Sequence, residues 1–388
     1  MKKTAAFRSL QALDLTWLTG RVNAKRIALL IPLYNEASSA NFQERLIYFE
    51  KFAACHADIE VILINDGSTD SSLAVLIAYL ASCNSRLTAA SVYPNAQKVG
   101  ALHLVASQIS HHHVILSDFD TDLLDVAQLK ETLPALEALP ETMGCYFKMI
   151  PYEGSGAVFS FQQLEYAFAR YYYQFHLKDQ SVPVMPGAGS CYKREALLRI
   201  YQEHSGYRNG EDREATVIGL KLGMKAVYEK RTLALTRPPL SLKKLLIQRK
   251  RWYLGYIETI FFQRSFYREQ MTARTAIGLR TLQDIVSVTL LVSIPLDVLV
   301  ATILLKGGVL YLIGLSYLIS VGYYSYLYID LKDERKGLHM KAGYLVPLYP
   351  AFWLMVTFIS WYNALISFFW VPAKQPQERP EPRVSASV

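Results

Sequence analysis

Between residues 27 and 149, short apolar runs alternate with longer stretches of helical periodicity. The apolar runs are rich in Val, Ile and Leu and nearly continuous, which is typical of strands buried on both faces. Strands that alternate with helices predict a parallel sheet covered by helices on both sides, and therefore an α/β domain. The predicted strands read IALLIPL, EVILIND, LTAASVY, HVILSDF and MGCYFKM.

Side chains suited to binding follow three of these predicted strands. Ligands of open α/β sheets bind beyond the carboxyl ends of the strands, so this is where such residues are expected. They are Pro32, Tyr34, Asn35 and Glu36 after the first strand, Asp66 after the second, and Asp118 and Asp120 after the fourth. The pattern predicts a nucleotide-binding edge on the sheet.

Three long apolar segments lie near the C-terminus, at 279–305, 309–329 and 343–371. Each is long enough to cross a hydrocarbon core, which takes about 20 residues. Asp284 and Asp297 interrupt the first segment, and prolines interrupt the third, so these two spans are expected to bend or to lie partly at the interface. The sequence therefore predicts a membrane protein with three C-terminal spans.

The loop at 330–341 sets the expected orientation of these spans. It is short and rich in Lys and Arg, and loops of this kind face the cytoplasm. Two spans separate it from the α/β domain, so we expect that domain in the cytoplasm, on the inner face of the cell membrane. The net charge of +8 follows from the same bias, and the chain has no Lys/Arg stripe or motif that would indicate nucleic acid.

The chain divides into five predicted regions. Aromatic-rich, partly charged segments at 158–178 and 242–268 are typical of helices at a membrane interface. The four cysteines have no metal-ligand spacing and are interpreted as packing residues. The regions are a basic amphipathic segment at 1–26 that could lie on the membrane as a helix, the α/β domain at 27–240, interfacial helices at 241–278, the membrane region at 279–371 and a disordered tail at 372–388.

Carboxylates after the buried strands are candidate ligands for a hard cation. Alternation along a strand end would point Asp118 and Asp120 the same way, which suits Mg²⁺ or Mn²⁺ bound to a phosphate. An ordinary solvated turn explains the same residues. Asp66 lies in the turn-forming run NDGSTD, where it could accept hydrogen bonds from a base or ribose, or cap a helix.

Two further charged positions are candidates for chemistry. Lys98 begins a predicted helix, where its cation could meet a base or diphosphate, although a surface lysine is the plain alternative. Glu211 and Asp212 stand at a loop-to-helix junction and could supply a general base. Their alternative role is to complement the helix dipole.

The run QRKRW at 248–252 places three different functional groups on one helix face. Gln248, Arg251 and Trp252 are spaced i, i+3 and i+4. They offer an amide, a guanidinium that can grip a diphosphate, and an indole on which a sugar ring can stack. A basic interfacial helix would explain Lys250 and Arg251 but not the whole combination.

Seven motifs in order resemble the membrane-bound family 2 glycosyltransferases, the group that includes cellulose, hyaluronan, chitin and poly-N-acetylglucosamine synthases. The resemblance covers roughly residues 27–255. The motifs are IPLYNE at 31–36, INDGSTD at 64–70, NAQKVGAL at 95–102, SDFD at 117–120, GAGSCYKREAL at 187–197, GED at 210–212 and QRKRW at 248–252.

The resemblance implies a GT-A (Rossmann-like) catalytic domain and an inverting, single-displacement mechanism that needs Mg²⁺ or Mn²⁺. It also implies a role for each matching residue. Asp120 would bind the metal, with Asp118 beside it on the uridine or ribose side. Asp212 would act as the general base, next to Glu211. Pro32, Tyr34, Glu36, Asp66, Lys98, Gln248, Arg249 and Arg251 would contact the nucleotide sugar, and Trp252, Gly187 and Gly189 would face the acceptor.

We therefore expect transfer from a UDP-sugar, with UDP-N-acetylglucosamine and UDP-glucose as leading donors, to a growing β-linked polysaccharide. Two alternatives remain open: transfer of one sugar to a lipid such as a polyprenyl phosphate or ceramide, and a non-catalytic membrane scaffold that senses nucleotide sugars. The sequence departs from the family at Gly210, where Thr is more usual. With three spans, export of a polymer would need a partner subunit or a homo-oligomer.

Overall fold

Nine strands of the described chain form one sheet, and twelve α-helices surround or follow it. The computed structural model describes residues 13–20, 25–39, 41–174, 176–206, 209–305, 308–332 and 341–370. The strands are β1 (Asp14–Trp17), β2 (Ile27–Leu33), β3 (Ile59–Asp66), β4 (Thr88–Tyr93), β5 (His113–Leu116), β6 (Thr121–Leu124), β7 (Thr142–Pro151), β8 (Ser190–Lys193) and β9 (Lys225–Thr236).

The helices alternate with the first strands and then gather at the C-terminus. They are α1 (Phe42–Cys55), α2 (Ser72–Ser82), α3 (Gln97–Gln108), α4 (Val126–Glu137), α5 (Ala157–Gln174), α6 (Arg194–Glu203), α7 (Glu211–Lys221), α8 (Leu242–Phe262), α9 (Arg264–Thr272), α10 (Ala276–Leu305), α11 (Gly308–Asp330) and α12 (Tyr349–Trp370). A 3-10 helix at Lys341–Leu348 leads into α12.

The sheet has the order β1-β4-β3-β2-β5-β8-β7-β9-β6. β4, β3, β2 and β5 run parallel to one another, so their carboxyl ends meet at one edge. β8 runs antiparallel to both β5 and β7, which makes the sheet mixed. This confirms the predicted α/β class and adds β1, β6, β8 and β9, which the sequence pattern did not predict.

Two apolar layers hold the helices on the sheet. One layer packs α3, α6 and α7 on one face through residues such as Leu102, Leu197 and Ile218. The other packs α1, α2 and α4 on the opposite face through residues such as Phe49 and Leu129. Burying one such side chain contributes roughly 1.5–3 kcal/mol, so the two layers fix the strand ends that carry the polar residues.

The prediction that the N-terminal segment forms a helix is wrong for residues 13–20, which the structure describes. Asp14–Trp17 is an edge strand that pairs antiparallel with β4, with Asp14 opposite Tyr93. The alternating residues Leu13, Leu15 and Trp17 pack toward the core, which explains why the segment is a strand. Residues 1–12 and the predicted disordered tail at 372–388 lie outside the described residues.

The three predicted spans correspond to α10, α11 and α12, each long and apolar enough to cross a membrane. Helix α8 packs along α12, where Tyr253 stacks on Trp361 at 4.4 Å between ring centroids. Helix α5 packs on the same region, with Phe161 stacked on Phe352 at 4.0 Å. The sheet domain therefore rests on the apolar helices through α5 and α8, both of which lie in the segments predicted as interfacial.

Candidate active site

A polar cleft of about 560 Å³ opens at the carboxyl ends of β2, β3 and β5. Its position follows from the parallel part of the sheet, because the loops after these strands meet there. Its polar lining residues are Tyr34, Glu36, Ser39, Asn41, Arg45, Asp66, Asn95, Gln97, Lys98, Asp118, Asp120, Glu211 and Arg251, and Pro32 lines it as well.

The turns after β2 and β3 are joined by Asn35. Its side-chain oxygen accepts hydrogen bonds from the backbone N–H of Thr69 at 2.8 Å and of Asp70 at 3.3 Å. Its own N–H donates to Ser68 Oγ at 3.0 Å. Asn35 has a φ of 57°, a left-handed conformation that asparagine tolerates better than most residues. The contacts fix the side of the cleft that holds Tyr34 and Glu36.

Asp66 is buried and holds the start of the next loop. One carboxylate oxygen accepts from the N–H of Ala96 at 2.7 Å, and the other accepts from Asn95 Nδ2 at 3.0 Å. The sequence reasoning missed Asn95, although it lies in the motif that contains Lys98. Asp66 lines the cleft as predicted, while its observed bonds also give it a role in shaping the loop.

Asp118 and Asp120 lie in the tight turn between β5 and β6. Burial, together with the neighbouring charge of Asp118, raises the pKa of Asp120 to about 6. Two neighbouring carboxylates suit a divalent cation, which would favour the charged form of Asp120. Among the described residues no larger cluster of His, Cys, Asp or Glu is placed to hold a metal. The pair therefore fits a metal that completes its shell with phosphate oxygens.

Lys98 joins two acidic motifs that are far apart in sequence. Its Nζ lies 2.5 Å from Asp118 Oδ1 and 3.6 Å from Glu211 Oε1. Although burial opposes its charge, these carboxylates hold the pKa of Lys98 above its ordinary value. The cation thus neutralises the acidic cluster, and its predicted contact with a diphosphate stays a prediction.

Asp212 stands beside Glu211 at the start of α7. The N–H of Gly187 approaches its Oδ2 at 3.4 Å, and a Cβ on Gly187 would lie 2.8 Å from Lys98 Nζ. A larger side chain at position 187 would crowd the Lys98 ammonium and the acidic residues around it. Burial, partly offset by Lys98, raises the pKa of Glu211. Asp212 lines a small cavity that shares Lys98 and Glu211 with the main cleft.

Gly210, where the resembling family more often has Thr, contacts Gly255 of α8. A Cβ on Gly255 would lie 2.5 Å from the Gly210 nitrogen and 2.7 Å from the Asn209 carbonyl carbon. Gly210 also has a φ of 67°, which favours glycine. The two glycines let the start of α7, with its acidic residues, pack directly on the helix that carries QRKRW.

The QRKRW residues divide between the cleft and the protein interior. Arg251 lines the cleft, but Arg249 is fully buried and donates to both oxygens of Glu165 on α5, at 2.7 and 3.2 Å. Gln248 accepts a further hydrogen bond from Arg249 at 2.7 Å. The interpretation of Arg249 as a diphosphate ligand therefore needs correction, because a buried guanidinium already paired with a carboxylate is not available to a ligand. The role of Gln248 stays a prediction.

Trp252 is 45% exposed and does not line the cleft itself. The guanidinium of Arg249 lies 3.9 Å from the centre of its ring, a cation–π contact that fixes one face of the indole. Glu165 supports this contact from α5 and was missed as a site residue. The sequence signal that could have identified Glu165 is its charge within a segment otherwise rich in aromatic residues.

Gly189 does not fit the predicted acceptor role. It directly precedes β8, an interior strand of the sheet, and has a φ of 108°. A Cβ there would lie 2.6 Å from the Ala234 side chain. Its N–H donates to the carbonyl of Leu116. The glycine is required for strand packing, whereas Gly187 faces the acidic cluster.

The sequence of the chain matches the model of a known family. The family is described as "Glycosyltransferase like family 2", and its model matches residues 25–255, which contain strands β2 to β9, the acidic motifs and QRKRW. The chain belongs to this family. It is therefore a glycosyltransferase, and its sheet domain is a GT-A domain. No curated protein sequence is significantly similar to it.

Solved structures resemble the enzyme at low sequence identity. The mannosyltransferase PcManGT from Pyrobaculum calidifontis, in complex with GDP-Man and Mn²⁺, is 14% identical, with a TM-score of 0.58 over 89% of this chain and 87% of that one. S. aureus TarS 1-349 is 12% identical, with a TM-score of 0.43 over 88% and 91%. GalNAc-T7 with UDP, GalNAc and Mn²⁺ is 14% identical, with a TM-score of 0.41 over 63% and 54%. We base the fold assignment on the first of these.

Proposed function

We propose that this glycosyltransferase is a metal-dependent, inverting enzyme of the cell membrane that transfers a sugar from a UDP-sugar to a growing β-linked polysaccharide. UDP-N-acetylglucosamine and UDP-glucose are the donors we favour. The catalytic domain would face the cytoplasm, with α10, α11 and α12 in the bilayer. The proposal draws on the motifs, the geometry of the cleft and the presence of Mn²⁺ and GDP-Man in the structure of PcManGT, which has a similar fold.

One observation carries the proposal. Lys98 contacts both Asp118 and Glu211, so one cation joins the candidate metal site to the carboxylate next to the candidate base Asp212. Arg251 lines the same cleft. A diphosphate placed there would meet positive charge from Lys98 and Arg251, and an acceptor hydroxyl could approach Asp212 from the glycine side.

The reaction would be an in-line attack on the anomeric carbon. Asp212 would accept the proton of the acceptor hydroxyl, and Glu211 and Lys98 would fix the charge around it. Asp118 and Asp120 would hold a divalent cation, which supplies positive charge beside the leaving diphosphate when it is bound. Arg251 would add a guanidinium to the same phosphate oxygens. Such preorganised charge commonly contributes several kcal/mol to transition-state stabilisation.

Transfer of a single sugar to a lipid is the second candidate. Helices α10 and α11 leave most of their apolar surface exposed in one chain, with 6% of each hydrophobic window buried. Lipid tails therefore have direct access to the surface below the catalytic domain. A lipid acceptor would use that access, whereas polymer export would need a homo-oligomer or partner subunit to complete a path across the membrane.

Release of nucleoside diphosphate by the purified full-length protein tests the proposal. The protein in lipid nanodiscs would be offered UDP-N-acetylglucosamine, UDP-glucose and GDP-mannose, each with Mg²⁺ or Mn²⁺. We expect UDP release from one UDP-sugar and a ladder of saccharide products. A single glycolipid would favour the second candidate. No release from any donor with either metal would contradict both and favour a sensing scaffold.

A further inference from the structure

Two arginines hold the backbone of the turn that presents Asp118 and Asp120. Arg45 of α1 donates to the carbonyl oxygen of Phe119 at 2.7 Å and to that of Thr121 at 2.9 Å. Arg237, which follows β9, donates to the carbonyl oxygen of Asp120 at 2.8 Å. Three consecutive carbonyls of the turn thus accept charge-assisted hydrogen bonds, which are about twice as strong as neutral ones.

One buried carboxylate joins the two arginines. Asp122 Oδ1 accepts from Arg45 Nη1 and, at 3.2 Å, from Arg237 Nη1, while its Oδ2 accepts from Arg237 Nη2 at 3.1 Å. Asp122 is 9% exposed and Arg45 is 4% exposed. Asp122 does not line the cleft, so its contacts act on the turn and not on a ligand.

Arg237 also connects the turn to the rest of the site. Its Nε donates to Glu153, in the connection that leads to α5, at 2.5 Å. The residues directly after Arg237 are Pro238 and Pro239, which lead to α8 and QRKRW, and Gln162 of α5 donates to the carbonyl of Pro239 at 2.7 Å. The Arg237 guanidinium therefore lies between three segments: the turn that carries Asp118 and Asp120, the start of α5, and the segment that leads from β9 to α8.

We propose that Arg45, Asp122 and Arg237 form a clasp of positioning residues that sets the direction of the Asp118 and Asp120 carboxylates toward a divalent cation. The proposal rests on the proposed function for the presence of that cation. The arginines bond to the start of β6 at Thr121 and Asp122, and they also bond to the carbonyls of Phe119 and Asp120 in the turn itself, which strand pairing alone would not require. Loss of the clasp would weaken metal binding before it unfolded the domain.

Arg237 is the best position for a test, because its side chain is 19% exposed and its loss leaves Arg45 in place. Arg231 on β9 is the matched control. It donates to Glu229 on its own strand and to Glu131 and Gln128 on α4, in a network that does not line the cleft. Arg237→Met, Arg237→Lys and Arg231→Met would be compared with the wild-type protein in detergent. Each would be titrated with Mn²⁺, first alone and then with UDP, by electron paramagnetic resonance, and its melting temperature would be recorded.

We expect Arg237→Met to raise the Kd for Mn²⁺ by about 10-fold, the usual scale for residues that orient metal ligands. Arg237→Lys should recover part of the affinity, and Arg231→Met should bind Mn²⁺ like the wild type. Equal Mn²⁺ affinity in Arg237→Met and Arg231→Met would overturn the clasp. Wild-type protein that transfers sugar without binding Mn²⁺ would also overturn it while leaving the transferase proposal standing. If Arg237→Met weakens Mn²⁺ binding but the wild type transfers sugar from no donor, the clasp is supported and the proposed function is contradicted.

Discussion

At the scale of single residues, the surroundings of each carboxyl group decide whether it is charged. Asp118 has Lys98 at 2.5 Å and Asp122 has two arginines, whereas burial and the charge of Asp118 raise the pKa of Asp120 to about 6. Behind α7, burial raises the pKa of Glu258 to about 7, and the nearby Glu214 adds to the shift. The protein thus concentrates negative charge in the cleft and holds a buried carboxyl group with a raised pKa behind it, where a hydrogen bond from Asn209 only partly offsets the burial.

Glu258 should make stability depend on pH. Its folded-state pKa of about 7 is above its ordinary value of 4.5, so the stability that its protonated form contributes is complete below pH 4.5 and is lost as pH rises through 7. Glu258→Gln keeps the neutral form at every pH. We expect the variant to melt at a higher temperature than the wild type at pH 8 and at the same temperature near pH 5.

Thermal unfolding of the purified protein in detergent measures this difference. The exposed Glu203, paired with Lys221 at 3.8 Å, provides the control substitution Glu203→Gln, which should not change the pH dependence. A Glu258→Gln variant that melts below the wild type at pH 8 would contradict the assigned pKa shift.

Sequence reasoning located the acidic residues but could not assign their partners. Asp66, Asp118, Asp120 and Glu211 follow strands or begin a helix, and these positions depend on local pattern alone. The arginines of the clasp and the Glu165 partner of Arg249 come from distant segments. The role that the resemblance implied for Arg249 fails for the same reason, because a motif does not show which of its residues is buried against a distant partner.

At the scale of elements, the crossing of α7 and α8 positions the two halves of the site. Gly210 and Gly255 bring the backbones into contact, so that Glu211 and Arg251 line one cleft. The stacking of Arg213 on Tyr256, 4.2 Å from the guanidinium carbon to the ring centre, adds a second contact between these helices. A change in their spacing would move the candidate base relative to Arg251.

Gly255→Ala should therefore damage catalysis more than stability. Its Cβ would lie within 3.0 Å of the backbone at Gly210 and Asn209, so the start of α7 must shift. A displacement near 1 Å can cost about 100-fold in rate, and we expect kcat to fall by roughly 10- to 100-fold. Steady-state kinetics would measure kcat and KM for the donor.

Gly314→Ala is the control for this change. Gly314 lies in α11, with open space where a Cβ would be, and alanine favours helix. Its kcat should equal that of the wild type. Wild-type kcat in Gly255→Ala would show that the helix crossing does not position the base.

Elements were predictable where one strong pattern covered them. The buried strands β2 to β5 and the three apolar helices have compositions that allow few other structures. β1 and β9 are less regular and depend on pairing with β4 and β7, which comes from the fold as a whole. Non-local pairing explains why the N-terminal segment was wrongly predicted as a helix.

At the scale of the whole molecule, the GT-A domain is joined to the apolar helices through aromatic contacts. Phe161 and Phe168 of α5 pack on Tyr349 and Phe352, and Tyr253 of α8 stacks on Trp361. The helices that support QRKRW are thus the same ones that contact the candidate spans. This arrangement would hold the cleft next to the membrane surface, where a lipid-linked acceptor or a growing polymer is accessible.

The cysteines allow the orientation to be measured. Cys55 and Cys83 are exposed on the catalytic domain, whereas Cys145 and Cys191 are buried. We expect a membrane-impermeant maleimide to label the protein in inside-out vesicles and not in intact cells. The double variant Cys55→Ser, Cys83→Ser should abolish the labelling. Labelling in intact cells would place the catalytic domain on the outer face and contradict the predicted topology.

The most direct test of the account is the substitution Asp212→Asn. Asparagine keeps the size of the side chain but cannot take a proton, so transfer should fall by about 1,000-fold while donor binding is unchanged. Asp58→Asn, which alters an exposed pair with Lys130, is the matched control and should transfer normally. Sugar transfer and donor affinity would be measured on the same preparations. Near wild-type transfer by Asp212→Asn would contradict the assignment of the base.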